Sequence, residues 1–435
     1  MDSSFSTPRI SRAAIMIAVV ALLVRLAFVV ARDRPLFSDE IEYDRLGWTL
    51  ATTGHYSDEG RPTAYRPIGY PALVAGAYVA LGHRPAAVHI TQAALGAVSC
   101  LLLWLIAGGG SAGLWAAGIW AVYPPSVIYA DLLLPETVFT TLLLVGALLS
   151  SRGAFHSRGL SFLLGAILGV ATLLKATALL LLAAIPLAAI VERIRLPRFG
   201  WLALGAMLAV GPWLARNWIV IGYPTPATSV GANLLIGNNP NATGGYSVRV
   251  PPTMIPRDST EGGRDAGEIA SALRYVRAEP RRAFRNGFAK IAHLFGSEGE
   301  MIVWTFHPSP GDPSTHLREK YRSLPVWLHL AVSGPYALAM LLGSLGFFTY
   351  PRGSTRAYFL GVLGTTLATH FVFFGGGRFH IPLMPFFVLF AAGWWTGRRR
   401  AGAPALPASR YLAVAAVWAC LIGTWIAEVV LALRP

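Results

Sequence analysis

The chain has 435 residues, of which 54% are hydrophobic and only 13% charged. Soluble domains carry about 25% charged residues, so a water-soluble body is excluded. Long apolar runs recur from end to end, and an all-α polytopic membrane protein is expected, because unpaired backbone groups cannot sit in hydrocarbon. The net charge of +15 does not point to nucleic acid: the arginines fall mostly in short loops between apolar runs, where they set orientation and meet anionic headgroups.

About eleven spans are expected, near 13–31, 86–107, 111–130, 134–150, 159–174, 176–191, 200–220, 326–349, 357–374, 380–396 and 410–432. The first is long enough to cross and is followed by no clean small-residue cleavage site, so it reads as a retained anchor. Arg9 and Arg12, Arg152 and Arg158, Arg193, Arg195 and Arg198, Arg352 and Arg356, and Arg398, Arg399, Arg400 and Arg410 fall on one side. That side is cytoplasmic by the positive-inside rule, with the N-terminus on it. The uncharged loop at 108–110 gives no vote. The whole chain then forms one transmembrane domain with two outer stretches. These are a first loop with interfacial helices over 32–85 (hydrophilic over 32–69) and a second loop over 222–325.

The first outer loop is dense in charge. Asp33, Asp39, Glu40, Glu42, Asp44, Asp58 and Glu59 are seven of the chain's 21 carboxylates. Tyr43, Leu46 and Leu50 recur at helical spacing, which predicts a short amphipathic helix on the membrane plane with the acids at its N-terminal end. Asp39 and Glu42 fit a capping box. Asp39 fits a general base equally well. The loop ends in Tyr65-Arg66-Pro67-Ile68-Gly69-Tyr70-Pro71, where prolines and glycine stiffen the return to the membrane. Arg66 is either a snorkelling interfacial arginine or a phosphate clamp. Residues 70–81 are apolar but too short to span, so they read as a re-entrant or interfacial helix.

Further along, Glu136 follows Pro135 in an outer turn, where it suits a helix N-terminus or a second acid of a site. Lys175 lies between two short apolar runs at the outer face, and Arg378 occupies the same level at the tenth span. A cation at that depth wants an anion. Arg66, Lys175 and Arg378 together describe a place for a lipid phosphate. Arg216-Asn217 closes the seventh span and reads first as an interfacial anchor. Arg25, well inside the first span, needs an internal partner. In the second outer loop, a Gly/Asn/Pro-rich turn region precedes a basic stretch, 268–295, whose weak helical stripe suits the membrane surface. Asn241-Ala242-Thr243 fits the glycosylation sequon weakly. Cys100 and Cys420 are too few for a disulfide framework, and the ten histidines show no metal-binding spacing.

These residues resemble a known pattern. Asp39-Glu40-x-x-Tyr43 followed by Arg66-Pro67-x-Gly69-Tyr70-Pro71 resembles the start of bacterial glycosyltransferases of the GT-C superfamily. These are related to the dolichyl-phosphate-mannose protein mannosyltransferases and the lipid A aminoarabinose transferases. Pro135-Glu136-x-x-Phe139, Leu174-Lys175, Arg216-Asn217 with Gly237-Asn238-Asn239-Pro240, and Arg378-Phe379-x-x-Pro382 continue the resemblance over about 20–395. It departs where Leu174 replaces a threonine and Phe379 a tyrosine.

The resemblance implies the GT-C fold and inverting transfer of a sugar from a polyprenyl phosphate to a lipid, glycan or protein of the cell envelope. The transfer would occur at the outer face of the bacterial cytoplasmic membrane. It implies Asp39 as the base, with Glu40 and Glu136 as further acids, and Arg66, Lys175 and Arg378 on the donor phosphate. Tyr43, Tyr65, Tyr70, Arg216, Asn238 and Asn239 are further candidates for the substrate site. No organic cofactor is implied, and a divalent metal is left open. The competing reading is a transporter, flippase or polymerase of lipid-linked sugars, which would favour inverted repeats and midplane charges.

Overall fold

The computed structural model describes residues 10–32, 34–258, 260–306, 324–398 and 407–433. Arg9, Asp33, Arg399, Arg400 and 307–323 of the second outer loop lie outside the described residues. The chain is helical almost throughout. Its one sheet among the described residues is a two-stranded antiparallel pair, Ser57–Asp58 with Arg61–Pro62.

The first long helix, α1 (Arg12–Val30), is capped by the Ser11 side chain, which accepts from the Ala14 N–H. The chain then builds α2 (Asp39–Thr53) and α3 (Gly69–Leu81), which pack on each other. Both were expected. Tyr43, Leu46 and Gly47 form the buried stripe of α2. Next come α4 (Pro85–Ile106), α5 (Gly110–Val122), the short α6 (Pro124–Ile128), α7 (Glu136–Ser151), α8 (Arg158–Leu174), α9 (Leu181–Val191) and α10 (Phe199–Ile221). The second outer loop holds α11 (Val230–Gly237), α12 (Glu261–Ala278), α13 (Pro280–Leu294) and α14 (Gly299–Phe306). The chain closes with α15 (Val326–Thr349), α16 (Ser354–Val372), α17 (Met384–Arg398) and α18 (Ala408–Leu433).

Among the described residues six helical segments are long and apolar enough to cross a bilayer: Arg12–Val30, Pro85–Ile106, Phe199–Ile221, Val326–Thr349, Gly377–Gly397 and Ala408–Glu428. Three further expected spans coincide with shorter apolar helices, the one at 357–374 coincides with the 19-residue α16, and the expected span at 111–130 is broken at Tyr123. Small residues set the closest packing. Gly165 and Gly169 of α8 meet the backbone of Leu202 and Ala206 in α10, the close approach that small-xxx-small spacing permits in membranes.

Loops expected on one side do meet at one end of the bundle. Arg198 donates to His156 O at 3.0 Å, Arg356 pairs with Glu192 at 3.1 Å, and Arg410 donates to Phe348 O at 2.8 Å. Asp39, Glu42 and Arg66 of the first loop gather with Glu136, Lys175 and Arg378 in a separate cluster.

Arg25 finds its partner at the break between α5 and α6. Proline has no N–H, so Pro124 and Pro125 leave the carbonyls of Trp120 and Ala121 without their usual i+4 donors. Arg25 supplies both: Nη2 donates to Trp120 O at 3.1 Å and Nη1 to Ala121 O at 3.0 Å. Nη2 also donates to Ser126 Oγ at 2.8 Å. Gly96 leaves room for the guanidinium, since a Cβ there would lie 2.4 Å from Arg25 Nε. The costly charge of the first span therefore repairs a backbone defect three helices away.

Arg25→Met should lower the thermal unfolding temperature in detergent, reflecting a loss of about 1.5–3 kcal/mol per charge-assisted bond. In a Pro124→Ala/Pro125→Ala background, where backbone donors return, the same substitution should cost clearly less. A cycle of the four proteins by scanning fluorimetry measures that coupling.

Candidate active site

The site begins where α2 begins. Ser38 stands in the left-handed region (φ 51°) and turns the chain so that Asp39 is the first helical residue. The capping-box reading of Asp39 is not what forms: the N-cap position is Ser38, and no side chain caps the helix. Asp39 instead aims both carboxylate oxygens away from the helix end. Oδ1 accepts from Arg66 Nη2 at 2.9 Å and Oδ2 from Arg378 Nη1 at 2.7 Å.

Arg66 is placed by the stiff turn that precedes α3. Tyr56 holds its carbonyl (Oη to Arg66 O, 2.9 Å), and Glu42, one turn into α2, takes Nε and Nη2 at 2.9 and 2.7 Å. Gly69 lets this turn touch the end of α8, where a Cβ would meet Leu173 O at 2.6 Å. That contact brings Arg66 beside Lys175, the residue after α8. Lys175 donates to Glu136 Oε1 at 3.0 Å, and Glu136 opens α7 directly after Pro135. Arg378 rides on a 3₁₀ turn, Gly377–Leu383, between α16 and α17. His380, two residues on, is fully buried and anchors that turn: Nε2 lies 2.9 Å from Glu298 Oε1 and Nδ1 2.7 Å from Leu294 O.

Asp39, Tyr43, Arg66, Glu136, Lys175 and Arg378 line a single cavity of about 200 Å³. The Asp39, Arg66, Lys175 and Arg378 side chains are 20, 19, 19 and 21% exposed, so they are open to the cavity rather than sealed in the core. Aromatic rings back the cations. Arg66 lies 5.3 Å from the Tyr43 ring centroid, Arg378 4.9 Å from Phe379, and Lys175 5.4 Å from Phe139. The remaining walls are largely apolar, among them Leu134, Leu143, Leu181, Val362 and Phe374.

Burial alone would raise the Asp39 carboxyl. The Arg378 and Arg66 guanidiniums outweigh burial and hold it well below the usual carboxylate range. Arg66 shows the converse: burial would lower it, but Asp39, Tyr43 and Glu42 raise it well above its ordinary value.

Other expected residues stand elsewhere. Glu40 does not line the cavity. Its carboxylate is buried and takes four donors: Arg34 Nη1 and Nη2 at 2.7 and 2.6 Å, Phe37 N at 3.1 Å and Leu133 N at 2.7 Å. Tyr70 is buried, bonded to Gln92 at 2.9 Å and edge-on to Tyr43, and Tyr65 borders the far side of Arg66. Arg216 ties α10 to the first loop through Thr63 O (2.7 Å) and Tyr56 O (2.8 Å). Asn238 and Asn239 bond to backbone carbonyls at the end of α11 and outside the cavity.

Sequence reasoning missed several partners. Arg34 bridges Glu40 and the buried Asp131, whose carboxyl burial pushes up to about 6 against the pull of Arg34. Lys290 of α13 is fully buried and donates to Asn238 Oδ1 (3.0 Å) and Val372 O (2.8 Å), and burial draws its ammonium down to about 8. It locks α11, α13 and the end of α16 together, where Gly237 abuts Phe373 O so closely that no Cβ would fit. The close glycines Gly237 and Gly375 were the available signal for that joint. Among the described residues no group of three His, Cys, Asp or Glu side chains could hold a metal ion.

A carboxyl whose folded value lies below its unfolded one adds stability above the unfolded value, about 3.9. That contribution is lost as pH falls through the folded value. The stability difference between wild type and Asp39→Asn should therefore stay level from pH 8 to about 5 and close only in stronger acid. Unfolding temperatures across that range check it.

Residues 65–215 match the family described as dolichyl-phosphate-mannose-protein mannosyltransferase. A comparison with curated proteins finds no match. Among solved structures, an oligosaccharyltransferase of Archaeoglobus fulgidus in the apo form aligns at 13% identity and a TM-score of 0.46, over 95% of this chain and 55% of that one. ArnT from Cupriavidus metallidurans bound to undecaprenyl phosphate aligns at 14% identity and a TM-score of 0.48, over 88% and 78%. Both are loose likenesses, and this chain spans about half the length of the oligosaccharyltransferase. The family match covers the segment that carries Arg66, Glu136 and Lys175, and over that segment the chain is similar to the dolichyl-phosphate-mannose-protein mannosyltransferases.

Proposed function

We propose that this protein transfers a sugar from a polyprenyl-phosphate donor to a hydroxyl of a cell-envelope lipid, glycan or protein. The reaction takes place at the outer face of the cytoplasmic membrane. One observation carries the reading: an acid, Asp39, stands between two arginines in a cavity that also holds a lysine and has apolar walls. A lipid monophosphate needs cations for its oxygens and hydrocarbon for its tail, and the cavity offers both.

In this mechanism the donor phosphate lies among Arg66, Lys175 and Arg378. The acceptor hydroxyl attacks the anomeric carbon from the face opposite the phosphate. The carbon–oxygen bond to the phosphate breaks with inversion, and polyprenyl phosphate leaves. Asp39 takes the hydroxyl proton, and the cations stabilise the charge that grows on the leaving group. The saturation of Glu40 by four donors supports Asp39 as the base. Glu136 keeps Lys175 in place.

Asp39→Asn should keep its fold and its affinity for polyprenyl phosphate, yet lose about 10²–10⁴-fold in turnover. The assay is release of polyprenyl phosphate from a polyprenyl-phosphate sugar by protein purified in detergent. Turnover near the wild-type rate would remove Asp39 from the chemistry. Lys175→Gln should weaken polyprenyl phosphate binding by about 10–100-fold, one charge-assisted bond, whereas Arg216→Gln should leave it unchanged. Titration with the lipid phosphate separates the two.

A further inference from the structure

Three residues that line the cavity each carry a buried polar atom without a hydrogen-bond partner among the described residues: Thr365 Oγ1, Thr369 Oγ1 and Glu136 Oε2. The three residues are 8, 6 and 2% exposed. Thr365 and Thr369 are one turn apart on α16, so their side chains share a face. Their lack of a partner is not a habit of helical threonine here. Thr366, beside them, bonds back to Val362 O at 2.9 Å, as Thr172 does to Leu168 O. Thr140 and Thr305 also carry unpartnered hydroxyls, but neither lines the cavity.

A buried hydroxyl without a partner costs about 1–3 kcal/mol, and native structures keep few such groups. An isoprenoid tail cannot bond to them. A phosphate is poorly suited as well: Glu136 Oε2 would repel it, and three cations already serve it. A neutral ring with several hydroxyls suits all three atoms. Its hydroxyls donate to Glu136 Oε2 and exchange bonds with the threonines, which both donate and accept. The cavity, about 200 Å³, is small beside the about 300–1,000 Å³ of pockets for drug-sized ligands. That favours one sugar over a glycan chain.

We propose that Thr365 and Thr369, with the free oxygen of Glu136, form the wall that binds the sugar ring of the donor and sets which sugar is accepted. This rests on the donor reading above. The wall selects by hydrogen bonding, so a sugar that lacks a matching hydroxyl leaves a buried threonine unpaired and binds less well.

The test compares affinity for polyprenyl phosphate with affinity for the same lipid phosphate carrying glucose, mannose, galactose or an aminopentose. Wild-type protein should bind at least one sugar-bearing lipid more tightly than the bare phosphate. Thr365→Val/Thr369→Val, which keeps shape and removes both hydroxyls, should erase about tenfold or more of that increment and leave bare lipid phosphate binding intact. Thr365→Ser/Thr369→Ser, which restores the hydroxyls, should recover it. An increment that survives in the valine protein overturns the inference, as does a loss shared equally by sugar-bearing and bare lipids. If wild-type protein binds neither lipid, the donor reading itself falls.

Discussion

Asp39 accepts from Arg66 through one oxygen and from Arg378 through the other, so a residue at the start of the first outer loop is bonded to one 339 positions later. Three remote structures must agree for this to happen. The Arg66 turn has to lie against α8, which Gly69 allows. The Arg378 turn has to be held at its buried side, which His380 and Glu298 do. The acids have to start a helix rather than sit in a loop, which the left-handed Ser38 achieves. The cluster is then only about a fifth exposed, so its electrostatics are stronger than those of a surface pair, yet it stays in reach of a ligand.

Charge inside this protein falls into two kinds, and what each group faces tells them apart. Arg25 uses both terminal nitrogens on carbonyls orphaned by proline. Glu40 has four donors. Arg216 bonds two loop carbonyls, and Lys290 two acceptors at a joint of outer helices. Each of these groups repairs or fastens backbone. The cavity residues are different: they pair with one another, Asp39 with Arg66 and Arg378 and Lys175 with Glu136, and all of them line the cavity. Buried ion pairs are weak evidence for stability, but a set of partly satisfied charges around a cavity is what functional sites share.

The membrane-protein class was legible because hydropathy and length decide it residue by residue. The convergence of Asp39, Arg66, Glu136, Lys175 and Arg378 was legible because loop charge fixes which ends of the spans lie together. What stayed hidden needed distances. Asp39 and Glu40 are adjacent in sequence, but successive residues on a helix diverge by about 100°, so one faces the cavity and the other Arg34. The partner of Arg25 was hidden for another reason: it is the absence of two N–H groups at Pro124-Pro125, which a search for acids does not find. Asn238 and Asn239 looked like site residues by motif alone. Their side chains satisfy carbonyls where Gly237 forces α11 against α16, a role that composition does not reveal.

The unliganded arrangement bears on how a base can work beside two arginines. A carboxylate held this far below its usual range is a poor proton acceptor, since a good one lies near the working pH. The same arginines are the best partners in the cavity for a phosphate, which offers them bidentate geometry. Arrival of the lipid phosphate would draw bonds from Asp39 to the phosphate, and the carboxyl would rise towards its ordinary value. In the proposed mechanism Asp39 would thus act as a base only when the donor is present. On that reading, water and stray hydroxyls would meet a quenched carboxylate until there is something for them to attack.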